Sequence, residues 1–157
     1  MNPAYRYCHQ RIVEFSETDL AGIVHFSNFF RYMESAEHAF YRSLGFTVHD
    51  FRVGEDGTRL GWPRVHAEAD YRLPLRFEET VDIELVIEEV RNRSVRYQFG
   101  FWKQDQDEDR VLAATGRMSV VCVAFQNGGM ESISIPDGVR QLLCAAPPEE
   151  WIVPNGK

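Results

Sequence analysis

The sequence predicts an α+β fold in which one long helix lies against a curved antiparallel sheet, and three patterns carry that expectation. From Phe26 to Leu44 the apolar residues Phe26, Phe29, Phe30, Met33, Ala36, Phe40 and Leu44 recur at steps of three and four, the stripe of an amphipathic helix. Val81, Ile83, Leu85 and Ile87 are interleaved with Asp82, Glu84 and Glu88, and Val95, Tyr97, Phe99 and Phe101 with Arg96 and Gln98. Both runs have the period of two that marks a half-buried strand. A single helix near the start followed by several strands points to one helix packed on one sheet, because each apolar face needs a partner.

The elements follow in order. Tyr5 to Phe15 mixes aromatic, β-branched and polar residues and reads as a first strand. The helix comes next, with Gly45 placed for a left-handed C-terminal cap. Gly45 to Leu60 is polar and glycine-bearing and reads as a loop able to border a pocket. From Pro63, Val65, Ala67, Ala69, Tyr71 and Leu73 alternate with charged residues and predict a half-buried strand ended by Pro74. The charged run from Asp105 to Arg110 is a solvated hairpin tip. Val111 to Phe125 reads as one long strand covered on both sides at its end, closed by the Asn127–Gly128 turn. Pro136 opens a short helix. Residues 1–146 make one domain, and 147–157 are expected to be a loose tail.

Composition narrows the function. A length of 157 residues allows one sizeable core. No stretch has the length of a membrane span or of a signal-peptide core, so a cytoplasmic protein without membrane contact is expected. The net charge of −7 argues against general nucleic-acid binding, which needs a basic footprint. Cys8, Cys122 and Cys144 are odd in number and lack metal-ligand or redox spacing, so buried thiols are expected, and neither a metal nor a disulfide framework.

Chemistry concentrates just ahead of the helix, where Asp19 and Gly22 fall in a short connection. The first N–H groups of a helix lack internal partners and carry positive partial charge, so a carbonyl placed there meets donors already aimed at it. A carboxylate beside them can act as nucleophile or general base. Spacing alone favours the reading of Asp19 as a turn or capping residue.

The run VEFSETDLAGIVHFSNFFRYME, together with WPRVHAEADYRLPLRFEETVDIEL, RNRSVRYQFGF and VVCVAF, resembles hotdog-fold acyl-CoA thioesterases of the 4-hydroxybenzoyl-CoA thioesterase type over nearly the whole chain. Two departures stand out: Glu17 occupies a position where the family often has Asp, and Phe26 one where many members have His or Tyr. The resemblance implies a side-by-side homodimer with a continuous sheet, commonly paired into a homotetramer. It implies hydrolysis of an acyl-CoA without metal or redox cofactor, coenzyme A being part of the substrate.

Residue by residue, the resemblance makes Asp19 the catalytic carboxylate and the backbone N–H of Phe26 the donor that polarises the carbonyl. Gly22 gives the turn, while Phe29 and Trp62 shape the acyl pocket. His25 is a pocket-lining ring or a proton shuttle. His66 and Glu68 lie on a strand beside the site or are simply a polar pair on a sheet face. Arg91, Arg93 and Ser94 match the turn that meets coenzyme A phosphates, for which arginine's fork is suited. Glu34, on the helix, is a reserve carboxylate. A hydratase or dehydratase acting on a related thioester, and a non-catalytic acyl-thioester binding module, are the alternatives.

Overall fold

The computed structural model describes residues 2–152. Among them, nine strands and two short-to-long helices follow in the order β1 (Arg6–Ile12), α1 (Asn28–Ser43), β2 (Phe51–Val53), β3 (Thr58–Gly61), β4 (Arg64–Tyr71), β5 (Thr80–Val90), β6 (Ser94–Gln104), β7 (Arg110–Val121), β8 (Val123–Gln126), β9 (Gly129–Ser132) and α2 (Asp137–Arg140). The strands form an antiparallel five-stranded sheet, β1-β5-β6-β7-β4, and a four-stranded sheet, β2-β3-β8-β9.

The alternating strands place Ile83, Leu85, Ile87, Tyr97, Phe99 and Phe101 on one fully buried face. Against it α1 lays Phe29, Tyr32, Met33, Ala36 and Phe40, all buried. Removing this much aromatic and aliphatic surface from water is the main stabilising term, at roughly 25 cal/mol per Å². Helix and sheet meet so closely at Gly116 that a Cβ there would stand 2.5 Å from Met33 Sδ, which accounts for a glycine in mid-strand. The opposite face is polar: Gln98 Nε2 donates to Glu88 at 2.9 Å, and Arg117 pairs with Glu88 at 3.3 Å and Glu68 at 3.7 Å.

The helix begins two residues later than the apolar stripe predicts, because Phe26 lies in the turn before it and is 61% exposed. Its end is as expected. Gly45 has φ +91°, Phe46 N donates to Tyr41 O and Gly45 N to Arg42 O, both at 3.0 Å, which is a Schellman cap. The segment expected as a loop from Gly45 to Leu60 instead holds the β2–β3 hairpin, whose Phe51 and Leu60 are buried. The expected strand from Val111 to Phe125 is two strands: at Cys122 the chain passes from the first sheet to the second, with Cys122 N donating to Arg93 O at 2.7 Å. Apolar residues on both faces report cover on both sides and do not reveal that the cover changes sheet.

Strand β4 is one of the two edges of the larger sheet, opposite β1. Val65 is 63% exposed, and Tyr71 and Leu73 are also exposed, so the strand predicted to be half-buried is largely uncovered within one chain. The expected set of buried thiols reduces to Cys122; Cys8 is exposed and Cys144 half-buried. Residues 147–152 are not loose: Glu150 pairs with Arg6 at 2.9 Å and Trp151 Nε1 donates to Ala146 O at 3.1 Å. The rest of the expected tail, 153–157, lies outside the described residues.

One buried charge breaks the apolar pattern of α1. Glu37 is 1% exposed and bonded to Arg64 of β4. Burial pushes its pKa up to about 7, against the opposing pull of Arg64. A carboxyl with a higher pKa in the folded state binds more protons there, so its contribution is complete below the unfolded value of 4.5 and is lost as pH rises through about 7. We expect thermal stability to fall between pH 5 and pH 8, by an amount on the order of 3 kcal/mol at most. Glu37→Gln should flatten that slope in thermal melts, and parallel slopes for the two proteins would show that another group sets it.

Candidate active site

The connection between β1 and α1 folds back on itself around Asp19. Asp19 N donates to Ile23 O at 2.9 Å, Gly22 N donates to Asp19 O at 2.9 Å, and Ala21 N donates to Asp19 Oδ1 at 2.8 Å. Gly22 closes the turn at φ +76°, a conformation that residues with a Cβ rarely adopt. This is the local turn role that Asp commonly plays, but it engages one carboxylate oxygen and leaves Oδ2 for other work.

Two open crevices share Asp19 in their linings. One, of about 470 Å³, is lined by Asp19, Ile23, Val24, Phe26, Phe29, Tyr71, Arg72, Leu73 and Pro74. The other, of about 840 Å³, is lined by Phe15, Ser16, Thr18, Asp19, Leu20, Gly22, His25, Asn28 and Phe77. The first is aromatic, with Phe29 edge-on to Tyr71 at 4.9 Å. The Tyr71 hydroxyl donates to Phe26 O at 3.0 Å and so ties the free edge of β4 to the approach to the helix.

The backbone donors on that approach can be assigned one by one. Val24 N donates to Leu75 O at 2.8 Å, His25 N to Glu17 O at 2.9 Å and Asn28 N to His25 O at 2.9 Å. Ser27 N makes a long contact of 3.4 Å to His25 Nδ1. Among the described residues, the N–H of Phe26 has no hydrogen-bond partner. Ser27, in the N-cap position, gives no side-chain cap, and its hydroxyl lies 2.7 Å from His25 Nδ1. The helix entrance therefore keeps an uncommitted donor beside the crevice that Asp19 lines.

Asp19, Gly22, His25, Phe26 and Phe29 thus line one or other of the two crevices, and other expected residues stand elsewhere. Trp62 is 4% exposed and stacks on Tyr41 at 5.6 Å between ring centroids, so it is a core residue here and lines neither crevice. His66 Nε2 lies 3.2 Å from Glu68 on the outer sheet face. His66, Arg91 and Ser94 line a separate groove of about 610 Å³ with Arg96 and Arg117. In it Arg91 is paired to Glu89 at 2.8 Å, while Arg93 donates to Ser132 O at 3.3 Å. Glu34 is 51% exposed and paired with His38 and Arg64, outside both crevices. Sequence reasoning missed Tyr71 and Arg72 as site residues, although the strand alternation had already placed Tyr71 on an apolar face.

Residues 13–143 match the model of the thioesterase-like superfamily. The chain belongs to that superfamily. A 1,4-dihydroxy-2-naphthoyl-CoA hydrolase of Prochlorococcus marinus is 35% identical over 109 residues, 67% of this chain and 70% of that protein. A solved gentisyl-coenzyme A thioesterase superposes with a TM-score of 0.71 at 30% identity, covering 85% of this chain and 99% of its own. The 4-hydroxybenzoyl-CoA thioesterase of Pseudomonas sp. strain CBS-3 superposes with a TM-score of 0.74 at 22% identity, over 88% of this chain and 99% of its own, and shares the fold. This thioesterase-like chain accordingly has the hotdog fold, a sheet curved around α1, and is an enzyme of the thioester-hydrolysing class. Among the described residues, no helix is long and apolar enough to cross a membrane.

Proposed function

We propose that the protein hydrolyses an aroyl-coenzyme A thioester to the free acid and coenzyme A, with Asp19 as nucleophile or general base and the Phe26 N–H polarising the carbonyl. The observation that carries this reading is that one aromatic crevice is lined by both Asp19 and Phe26, and the Phe26 N–H has no partner among the described residues. Negative charge that develops on the carbonyl oxygen in the transition state meets a donor already in place, an arrangement that contributes about 3 kcal/mol to lowering a barrier. As nucleophile, the carboxylate forms an acyl–enzyme anhydride and expels the thiolate, and water then cleaves the anhydride. As base, it takes the proton of an attacking water. A thiol of ordinary pKa, about 8.5, leaves readily as thiolate, so a side chain at position 26 able to donate a proton is not required. Water is the only co-reactant, and neither metal nor redox cofactor takes part.

The aromatic walls Phe26, Phe29 and Tyr71 suit a flat ring, and the relatives named above act on dihydroxynaphthoyl, gentisyl and 4-hydroxybenzoyl thioesters. A Asp-to-Asn mutant of a 4-hydroxybenzoyl-CoA thioesterase, a structural neighbour at TM-score 0.78, was crystallised with 4-hydroxybenzoyl-CoA bound. The reading also includes a homodimer built on β4. The Asp19 crevice lies at the Tyr71 end of that strand and the arginine-lined groove at its His66 end, about 17 Å away at 3.3 Å per residue. Antiparallel pairing of β4 with its own copy brings the groove of one subunit beside the crevice of the other. Coenzyme A phosphates held by Arg91, Arg93 and Ser94 would then serve a thioester at the neighbouring Asp19, with His66 near the boundary.

A panel of aromatic, short-chain and long-chain acyl-CoAs assayed for thiol release tests the reading. Aroyl thioesters should have the highest kcat/KM. Tight binding without thiol release from any of them would make the protein a binding module.

A further inference from the structure

We infer that Glu17 is a positioning residue that sets the Asp19 carboxylate and the Phe26 N–H in register by clamping β1, the Asp19 turn and α1 together. The inference rests on the assignment of those two groups as the reacting pair.

The clamp has two halves, both belonging to one residue. The Glu17 carboxylate is bonded to Arg11 of β1 through Oε1, accepts the Tyr32 hydroxyl of α1 at 2.6 Å through Oε2, and also accepts Glu14 N–H at 2.9 Å. Arg11 lies over the Tyr32 ring at 4.4 Å, so the three side chains form a closed set. It is well sheltered: Tyr32 is fully buried, and the side chains of Glu17 and Arg11 are 15% and 23% exposed. The Glu17 carbonyl, in turn, accepts His25 N–H at 2.9 Å and the Asn28 side-chain amide at 2.8 Å. The residue two places before Asp19 therefore also holds the residue immediately before Phe26.

Side-chain length matters to this arrangement. Glu17 must reach both the edge strand β1 and the second turn of α1 while its backbone stays on the Asp19 turn. Charge matters as well, because a neutral group there leaves the sheltered Arg11 guanidinium without its counter-ion. Loss of the clamp is expected to leave the crevices open to substrate and to disturb the geometry of the reaction itself, since displacements well under the width of an atom lower a rate without abolishing binding.

The test compares Glu17→Gln, Asp19→Asn and the double variant in the thiol-release assay, well below each protein's melting temperature. Glu17→Gln should lower kcat by about 10-fold or more with KM within about twofold of wild type. A merely structural role would lower the melting temperature and leave kcat per folded molecule unchanged, and that result overturns the inference. On the Asp19→Asn background Glu17→Gln should have little further effect, because there is no carboxylate left to position. If Asp19→Asn keeps wild-type turnover, the reading of Asp19 fails, whatever Glu17→Gln does. If Asp19→Asn is inactive while Glu17→Gln is fully active, only the clamp fails. Should Glu17→Gln not fold, Tyr32→Phe removes one bond of the clamp and keeps the Arg11 pair; a reduced kcat at unchanged KM supports the inference and an unchanged kcat overturns it.

Discussion

Asp19→Asn should keep its fold and its affinity for the thioester while kcat falls on the order of 10³-fold, the usual weight of a positioned base or nucleophile. The change is nearly isosteric. The amide oxygen can still accept Ala21 N–H, so the turn closed by Gly22 is preserved. What is lost is the second oxygen's ability to attack a carbonyl or take a proton from water. Thiol release measured by trapping, alongside a thermal melt and a binding titration with substrate, separates these effects. Full turnover in a well-folded Asp19→Asn protein would move the chemistry elsewhere, and Glu34 would be the next carboxylate to examine.

Phe26→Pro is expected to have the second largest effect, because proline removes the N–H itself. In most positions this substitution also removes a structural hydrogen bond. Here the Phe26 N–H bonds to nothing among the described residues, the residue is 61% exposed, and its carbonyl can still accept the Tyr71 hydroxyl. Position 26 also precedes α1, where proline does not interrupt helical bonding. A loss of 10²- to 10³-fold in kcat, with a melting transition close to wild type, is the expected outcome for removal of one oxyanion donor. Phe26→Ala, which keeps the N–H, should retain far more activity. Equal losses in the two variants would assign the effect to the aromatic wall and not to the donor.

Much of this architecture is legible in the sequence because it rests on periodicity. The stripe from Phe29 to Phe40 and the alternation through β5 and β6 arise from the same burial that the structure shows, and Gly45 and Asn127–Gly128 mark turns that need positive φ. The failures have physical causes. The alternation of β4 names an apolar face but not what covers it, and among the described residues Val65 stays exposed while only Ala69 and Tyr71 meet the core. The break at Cys122 is invisible to a pattern that records burial alone. Glu37 looks like an ordinary polar residue between helical neighbours until Arg64 arrives from a strand 27 positions away.

The site divides in the same way. Asp19, Gly22 and Phe26 are contiguous in sequence, so a motif could place them together. Tyr71 and Arg72 join them only through the fold, as does the link from Glu17 to Arg11 and Tyr32. Trp62 occupies the position that the family resemblance assigns to the acyl pocket, but a match in sequence does not decide whether a ring faces the crevice or the core. Its stacking on Tyr41 shows the core.

The central claim is that a single thioester carbonyl meets both the Asp19 carboxylate and the Phe26 N–H. Isotope-edited infrared spectroscopy of benzoyl-coenzyme A labelled with ¹³C at the carbonyl, bound to Asp19→Asn so that it persists, measures this directly. The carbonyl stretch should move to lower frequency than in water, and the shift should disappear when Phe26→Pro is added. A bound carbonyl with the same frequency in both proteins would contradict the account.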